Sequence, residues 1–166
     1  MFQYFYPSQY VDSTYNIDFE KLYSDNYRGV IFDIDNTLVM HNAPATKEAI
    51  ELFHKLHSIG FDTLILSNNK EPRVKTFADA VGSKYIYKAN KPSKKGYQKA
   101  MEIMNTSIEN TIFVGDQLFT DIWGANQANI YSILVNPINP KEEIQIVLKR
   151  ILEKPILHSY KRKYKK

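Results

Sequence analysis

Five short apolar runs, spaced by stretches of helical periodicity, constrain this chain more than any other feature. They are Val30-Ile31-Phe32, Thr63-Leu64-Ile65-Leu66, Tyr85-Ile86-Tyr87, Ile112-Phe113-Val114 and residues 130–135. In the first two, a short apolar run without polar alternation marks a strand buried on both faces, and the others read as further short strands. Helices are expected between them over 44–59, 72–80, 93–104 and 120–128, and a last one over 140–152. In the first, Ala49, Ile50, Phe53 and Leu56 recur at helical spacing, and Gly60 supplies a stop. Gly82 ends the second, and Ser93 has the chemistry of an N-cap for the third. Strands alternating with helices predict an α/β fold, a doubly wound (Rossmann-like) parallel sheet flanked by helices. No repeat or linker divides residues 29–153, so they read as one domain. An aromatic-rich arm (1–28) without clean periodicity precedes it, and a basic tail (154–166) follows.

The bulk properties narrow the class. A chain of 166 residues can bury a core without staples. With no cysteine, disulfides and thiolate catalysis are excluded. No apolar run approaches the length of a membrane span, and the first residues lack the basic and apolar regions of a signal peptide. A cytoplasmic protein, soluble or peripheral at the inner membrane surface, is therefore expected. Positive charge is concentrated at one end. Residues 149–166 carry eight Lys/Arg against Glu153 alone, whereas the rest has 14 basic and 17 acidic residues. Such a tail either meets an anionic partner or simply solubilises the end. The net acidic body argues against nucleic acid.

In open parallel sheets, ligands bind beyond the carboxyl ends of the strands, at the topological switch point. The sequence places polar residues at those ends: Asp33, Ser67 and Asp116. Asp33-Ile34-Asp35-Asn36-Thr37 puts two carboxylates two residues apart. At a buried strand end such a pair repels unless a cation is shared, and oxygen-only ligation suits magnesium. One carboxylate could attack phosphorus while the other transfers protons. Equally, Asp and Asn cap loops and helix starts. Ser67-Asn68-Asn69 could hold a phosphoryl oxygen or form an ordinary turn. Lys91 could neutralise a transferring phosphoryl group, yet Lys88, Lys94 and Lys95 lie close by. Gly115-Asp116-Gln117-Leu118-Phe119-Thr120-Asp121 offers a second acidic pair behind a glycine that admits close approach. Each element alone is ambiguous; their order, each at a strand end, is not.

Taken together, these segments resemble the haloacid-dehalogenase superfamily, whose motifs are Asp-x-Asp-x-Thr, a strand-end Ser/Thr, a Lys, and Gly-Asp-x-x-x-x-Asp. The resemblance covers about residues 29–136. It implies Asp33 as nucleophile, Asp35 as acid/base, Thr37 and Ser67 as phosphoryl contacts, with Asn68 beside them, and Lys91 as charge stabiliser. It also implies Mg2+ held by Asp33, the Asp35 carbonyl and Asp116, with Asp121 in support. Pro7-Ser8-Gln9-Tyr10-Val11, Asp33 to Val39, and Tyr87-Lys88-Ala89-Asn90-Lys91-Pro92 further resemble the YqeG-type branch of subclass IIIA phosphatases. That branch is similar to phosphatidylglycerophosphate phosphatases.

Relatives often carry a cap domain, but Met40-His41-Asn42-Ala43 leaves no room after the first motif, and Ser67 to Lys91 accommodates one helix and one strand. An uncapped site favours a bulky or membrane-presented substrate, such as a lipid phosphate. A basic tail bearing Tyr160 and Tyr164 could then meet an anionic membrane surface. A protein or polynucleotide phosphatase, or a non-enzymatic phospho-binding module, are the competing readings.

Overall fold

Four of the apolar runs become the central strands of a parallel sheet, and Tyr85-Ile86-Tyr87 falls on its edge, in a computed structural model that describes residues 2–139 and 144–164. The strands are β1 (Gln9–Val11), β2 (Gly29–Phe32), β3 (Asp62–Leu66), β4 (Lys84–Ile86), β5 (Thr111–Gly115) and β6 (Tyr131–Val135), in the order β1-β6-β5-β2-β3-β4. Every pairing is parallel. The chain leaves β2 toward β3 and β4, then returns to lay β5 and β6 on the other side. The switch therefore falls between β2 and β5, where Phe32 pairs with Val114.

The helices are α1 (Phe19–Ser24), α2 (Lys47–Ile59), α3 (Glu71–Val81), α4 (Lys94–Met104), α5 (Trp123–Gln127) and α6 (Ile144–Tyr164). Strand alternation divides the core into two layers. Val30 and Phe32 of β2 point toward Leu52, Phe53 and Leu56 of α2 and Phe77 of α3, whereas Ile31 joins Tyr97 and Met101 of α4. The boundary signals work as expected. Gly60 ends α2 with φ 118°, although the helix starts three residues later than Pro44, at Lys47, where Thr46 accepts from Ala49 N (3.1 Å) as its cap. Ser93 caps α4, accepting from Lys95 N. Turns and an isolated bridge between Asp35 and Val39 join β2 to α2, and only α3 and β4 lie between Ser67 and Lys91, so no cap is inserted at either place.

Three expectations change. The supposedly irregular arm contributes β1, the edge strand beside β6. Its three residues are too few to show a period, and neighbouring aromatics mask them. Farther along, Thr14 Oγ1 donates to Thr37 O (2.8 Å) and Tyr15 Oη to Leu38 O (2.7 Å), so this segment braces the loop after β2. The helix expected over 120–128 begins earlier, as a π-turn (Leu118–Ile122) leading into α5. Finally, the basic tail is not separate. α6 runs for 21 residues through Pro155, a residue that normally interrupts a helix because it lacks an N–H. The expected helix start at Pro140 lies outside the described residues, as do Met1, Lys165 and Lys166.

A third, smaller cluster explains why α6 continues. Leu118, Ile122, Leu134 and Ile156 are buried together, with Phe5 and Tyr6 packed against them. Tyr6 meets the Tyr160 ring edge-on at 5.5 Å and shares a 2.6 Å hydrogen bond with Ser159. Tyr160 is only 7% exposed, so it is a core residue rather than a ring free to enter a head-group layer. Tyr160→Ala is expected to cost about 2–4 kcal/mol through the cavity it leaves, measured as a lower urea midpoint with unchanged slope.

Candidate active site

The sheet's switch point places the ends of β2 and β5 side by side. Asp33 N donates to Val114 O (3.0 Å), continuing the ladder one residue past β2. Asp33 thus stands next to the Gly115-Asp116 end of β5. A cleft of about 220 Å³ opens there, lined among others by Asp33, Asp35, Ser67, Asn68, Lys91 and Asp121.

Lys91 is the hub. Its ammonium lies 2.7 Å from Asp33 Oδ1 and 2.7 Å from Asp121 Oδ1. Residue chemistry left four lysines open and the family resemblance pointed to Lys91; burial distinguishes it, since Lys91 is 7% exposed, whereas Lys88, Lys94 and Lys95 are exposed. Burial works to lower the Lys91 pKa, yet Asp121 and Asp33 outweigh it and hold the ammonium above its ordinary value. Asn68 fixes the lysine's backbone, accepting from Lys91 N (2.7 Å) and donating to Lys91 O (3.2 Å). The amide expected to touch a phosphoryl group is therefore engaged in positioning Lys91.

Asp121 completes the floor. Its Oδ2 accepts from the backbone N–H groups of Asp116 (3.2 Å) and Gln117 (3.1 Å). The π-turn makes this possible: Ile122 N reaches back five residues to Gln117 O (3.1 Å), and the widened turn folds the Asp121 side chain under the strand end. Gly115 leaves the room, because a Cβ there would come 2.6 Å from Asp121 Cβ, Cγ and Oδ2. Tyr97 Oη donates to Asp121 O (2.9 Å), tying the same turn to α4.

Asp116 is buried, and Arg150 of α6 forms an ion pair with its Oδ2 while donating to its backbone carbonyl (2.5 Å). Glu153 sits beside Arg150 (3.2 Å) and accepts from Leu118 N (2.9 Å). Thr37 Oγ1 lies within reach of both Asp33 Oδ2 (3.3 Å) and Asp116 Oδ1 (3.1 Å). At 1% exposure its hydroxyl bridges the two acids beneath the cleft, where a phosphoryl contact was expected. Arg150 and Glu153 were not singled out in the sequence. The signal available was general: buried acids in excess require cations.

Around the rim, Asp35 Oδ1 accepts from Asn42 N (2.8 Å) and pairs with Arg73 (3.0 Å), while Asn69 donates to Oδ2 (2.6 Å). Ser67 is buried at 1% exposure and accepts from Asn69 N (3.1 Å). His41, 3.9 Å from Asp35, and Lys149 of α6 also line the cleft.

The electrostatics fit a divalent cation. Burial drives the Asp33 carboxyl up to about 7 despite Lys91, and Asp121 adds to the rise. Asp116 is also pushed well above its ordinary value, first by burial and then by Asp121 and Asp33, with Arg150 opposing. Asp33, Asp116 and Asp121 each bring an oxygen within 4.8 Å of the others. Three buried acids against the buried Lys91 and the part-exposed Arg150 leave surplus negative charge, and an all-oxygen donor set suits a hard metal ion. Asp121 accepts three donors, the Lys91 ammonium and two backbone N–H groups, more than either of the other two acids. The side chain of Asp35 turns to Arg73 and Asn69, so this residue could join a metal through its backbone carbonyl.

Gly115→Ala tests the packing under this site. The added methyl group must displace Asp121 and is expected to destabilise the fold by about 1–3 kcal/mol. A larger loss of turnover than an equally destabilising core variant should accompany it, read from melting curves and steady-state rates together.

Comparison with known proteins agrees with this geometry. The profile of the haloacid dehalogenase-like hydrolases matches residues 41–129. The chain is 38% identical over 162 residues to the probable phosphatase YqeG of Bacillus subtilis, covering 97% of this chain and 94% of that protein. It is 29% identical over 175 residues to the chloroplastic/mitochondrial phosphatidylglycerophosphate phosphatase 1 of Arabidopsis thaliana, across 97% of this chain but only 49% of that longer protein. Among solved structures, the cobalt-bound deoxy-D-mannose-octulosonate 8-phosphate phosphatase of Haemophilus influenzae shares the fold, with a TM-score of 0.52 at 17% identity. That match covers 84% of this chain and 91% of the other. With its strand-end acids gathered around Lys91, the chain belongs to the haloacid dehalogenase-like hydrolases, as an enzyme of the phosphatase kind.

Proposed function

We propose that the enzyme is a magnesium-dependent phosphatase that hydrolyses a membrane-presented phosphomonoester, such as phosphatidylglycerophosphate, through an aspartyl-phosphate. The observation that carries the chemistry is the Lys91 ammonium shared by Asp33 and Asp121 (2.7 Å each) in the cleft floor. It leaves Asp33 facing a phosphoryl site with a cation already beside the attacking carboxylate.

In the first step an Asp33 oxygen attacks phosphorus, the ester P–O bond breaks, and Asp35 gives its proton to the leaving alcohol. In the second, Asp35 takes a proton from water, the water oxygen attacks phosphorus, and the Asp33–phosphate bond breaks to release phosphate. Arg73, Asn69 and Asn42 N orient Asp35 at the rim for both transfers. Ser67 lines the cleft for a phosphoryl oxygen, while Asn68 and Asp121 hold Lys91 in place. Magnesium bound by Asp33, the Asp35 carbonyl and Asp116 would supply positive charge for the phosphoryl oxygens.

Support for a lipid substrate is twofold. The chain is similar to a phosphatidylglycerophosphate phosphatase over 97% of its length. Its cleft, without an inserted cap, lets a substrate's own bulk cover the reacting phosphate.

Asp33→Asn removes the nucleophile while nearly preserving shape. Turnover should fall by on the order of 10⁴ or more, with the melting curve still cooperative; appreciable turnover by the folded variant refutes the mechanism. Lys91→Met should lower kcat by roughly 10²–10³, whereas Lys94→Met and Lys95→Met should leave it unchanged. Chelation of magnesium should stop phosphate release, and its readdition should restore it. Release from phosphatidylglycerophosphate in mixed micelles, set against a phosphopeptide and a 5′-phosphorylated oligonucleotide, tests the substrate. Preference for either of the latter overturns the lipid assignment.

A further inference from the structure

The outward side of α6 is apolar where a surface helix is normally polar. Ile144, Val147, Leu148, Ile151 and Leu152 fall at i, i+3, i+4, i+7 and i+8, which places them in one stripe. Their exposure runs from 40% at Val147 to 77% at Ile144. Five of the twelve exposed large hydrophobic residues among the described residues therefore lie within nine positions of one helix. The opposite side of α6 carries Arg150, Glu153, Ile156 and Tyr160, all directed at the body. The stripe is thus a second apolar face on a helix whose first is already buried.

The charges around it indicate what could cover it. Lys149, Lys154, Lys161, Arg162 and Lys163 are all exposed. The one acid of the helix, Glu153, is 3% exposed and bonded to Leu118 N and Arg150. Solvent therefore sees an apolar stripe and cations, with no acid on the helix to offset them. Two copies meeting through this face would bring like charges together, whereas an anionic bilayer offers both apolar depth and opposite charge. Ile146 and Lys149, on the body-facing side of the same helix, line the cleft, so α6 separates the stripe from the cleft by its own width.

We propose that the outward stripe of α6 docks the protein on an anionic bilayer, with Leu148 and Ile151 at its centre sunk into the head-group boundary. The delivery of substrate to the cleft rests on the lipid-phosphate reading above, but the docking itself does not.

Flotation with phosphatidylcholine vesicles, with and without phosphatidylglycerol, tests it. The full chain should float with the anionic vesicles, less so as salt rises. Leu148→Glu/Ile151→Glu should weaken binding more than about tenfold, because burying even one leucine is worth an order of magnitude in an equilibrium constant. Hydrolysis of p-nitrophenyl phosphate should be unchanged in that variant, which also reports its fold. Equal flotation of the two proteins overturns the proposal. So does sedimentation showing a parent dimer that the double variant abolishes while vesicle binding persists. If the double variant fails to fold, Ile151→Trp decides: brominated lipid should quench its emission beyond that of the native Trp123, and no added quenching refutes docking. Flotation without turnover of phosphatidylglycerophosphate would keep the docking surface and discard the lipid substrate. Turnover in micelles without flotation would do the reverse.

Discussion

A buried ammonium between carboxylates organises this molecule. Lys91 can stay charged at 7% exposure because Asp33 and Asp121 each sit 2.7 Å away. Stripping either partner from such a pair typically costs about 3–5 kcal/mol. Much of the surrounding structure can be derived from keeping this arrangement intact. The parallel order brings β2 beside β5, so Asp33 and Asp116 become neighbours. The π-turn and Gly115 let Asp121 fold beneath them, and Tyr97 holds that turn from α4. The Asn68 amide clamps the lysine's own backbone. Stability and site geometry are consequently the same set of contacts, viewed for different purposes.

The C-terminal helix is part of that set. Arg150 reaches Asp116, and Glu153 both supports Arg150 and caps the start of the π-turn at Leu118 N. The turn after β1 plays a comparable part from the other end of the chain, since Thr14 and Tyr15 bond the carbonyls of Thr37 and Leu38. Segments that looked peripheral in sequence thus form the walls behind the acidic residues.

Legibility in the sequence followed the physics of each signal. Strands buried on both faces leave unmistakable apolar runs, and boundaries at Ser93 and Gly60 leave local chemical marks, so the central α/β frame could be read directly. Asp33 and Asp116 were readable because they sit where strands end, whereas Lys91 was singled out by the family pattern. What could not be read depended on distant partners. Three-residue β1 has no period of its own and exists through its pairing with β6. The continuity of α6 past Pro155 comes from Tyr160 packing on Tyr6, which no local propensity encodes. Thr37 and Asn68 were recognised as members of the site, but whether a hydroxyl or amide faces the cleft or a neighbouring group is decided only by three-dimensional contacts. Arg150 carried no motif at all, because any long basic side chain arriving from that direction meets the same need.

The pairing of β1 with β6 has a consequence for how the enzyme comes into being. Ser8 and Ser132, which exchange hydrogen bonds across that edge, are 124 positions apart, and Tyr6 and Ser159 are 153 apart. During synthesis the earliest-made strand must wait for almost the whole chain before its partner emerges. Asp116 likewise meets Arg150 only after another 34 residues have been added. Such distant closures are slow steps, since the entropy of the intervening loop must be overcome before any contact repays it. The nascent chain therefore passes through a stage in which the central strands can assemble while the acidic pocket still lacks its outer wall, and competence arrives with the final helix.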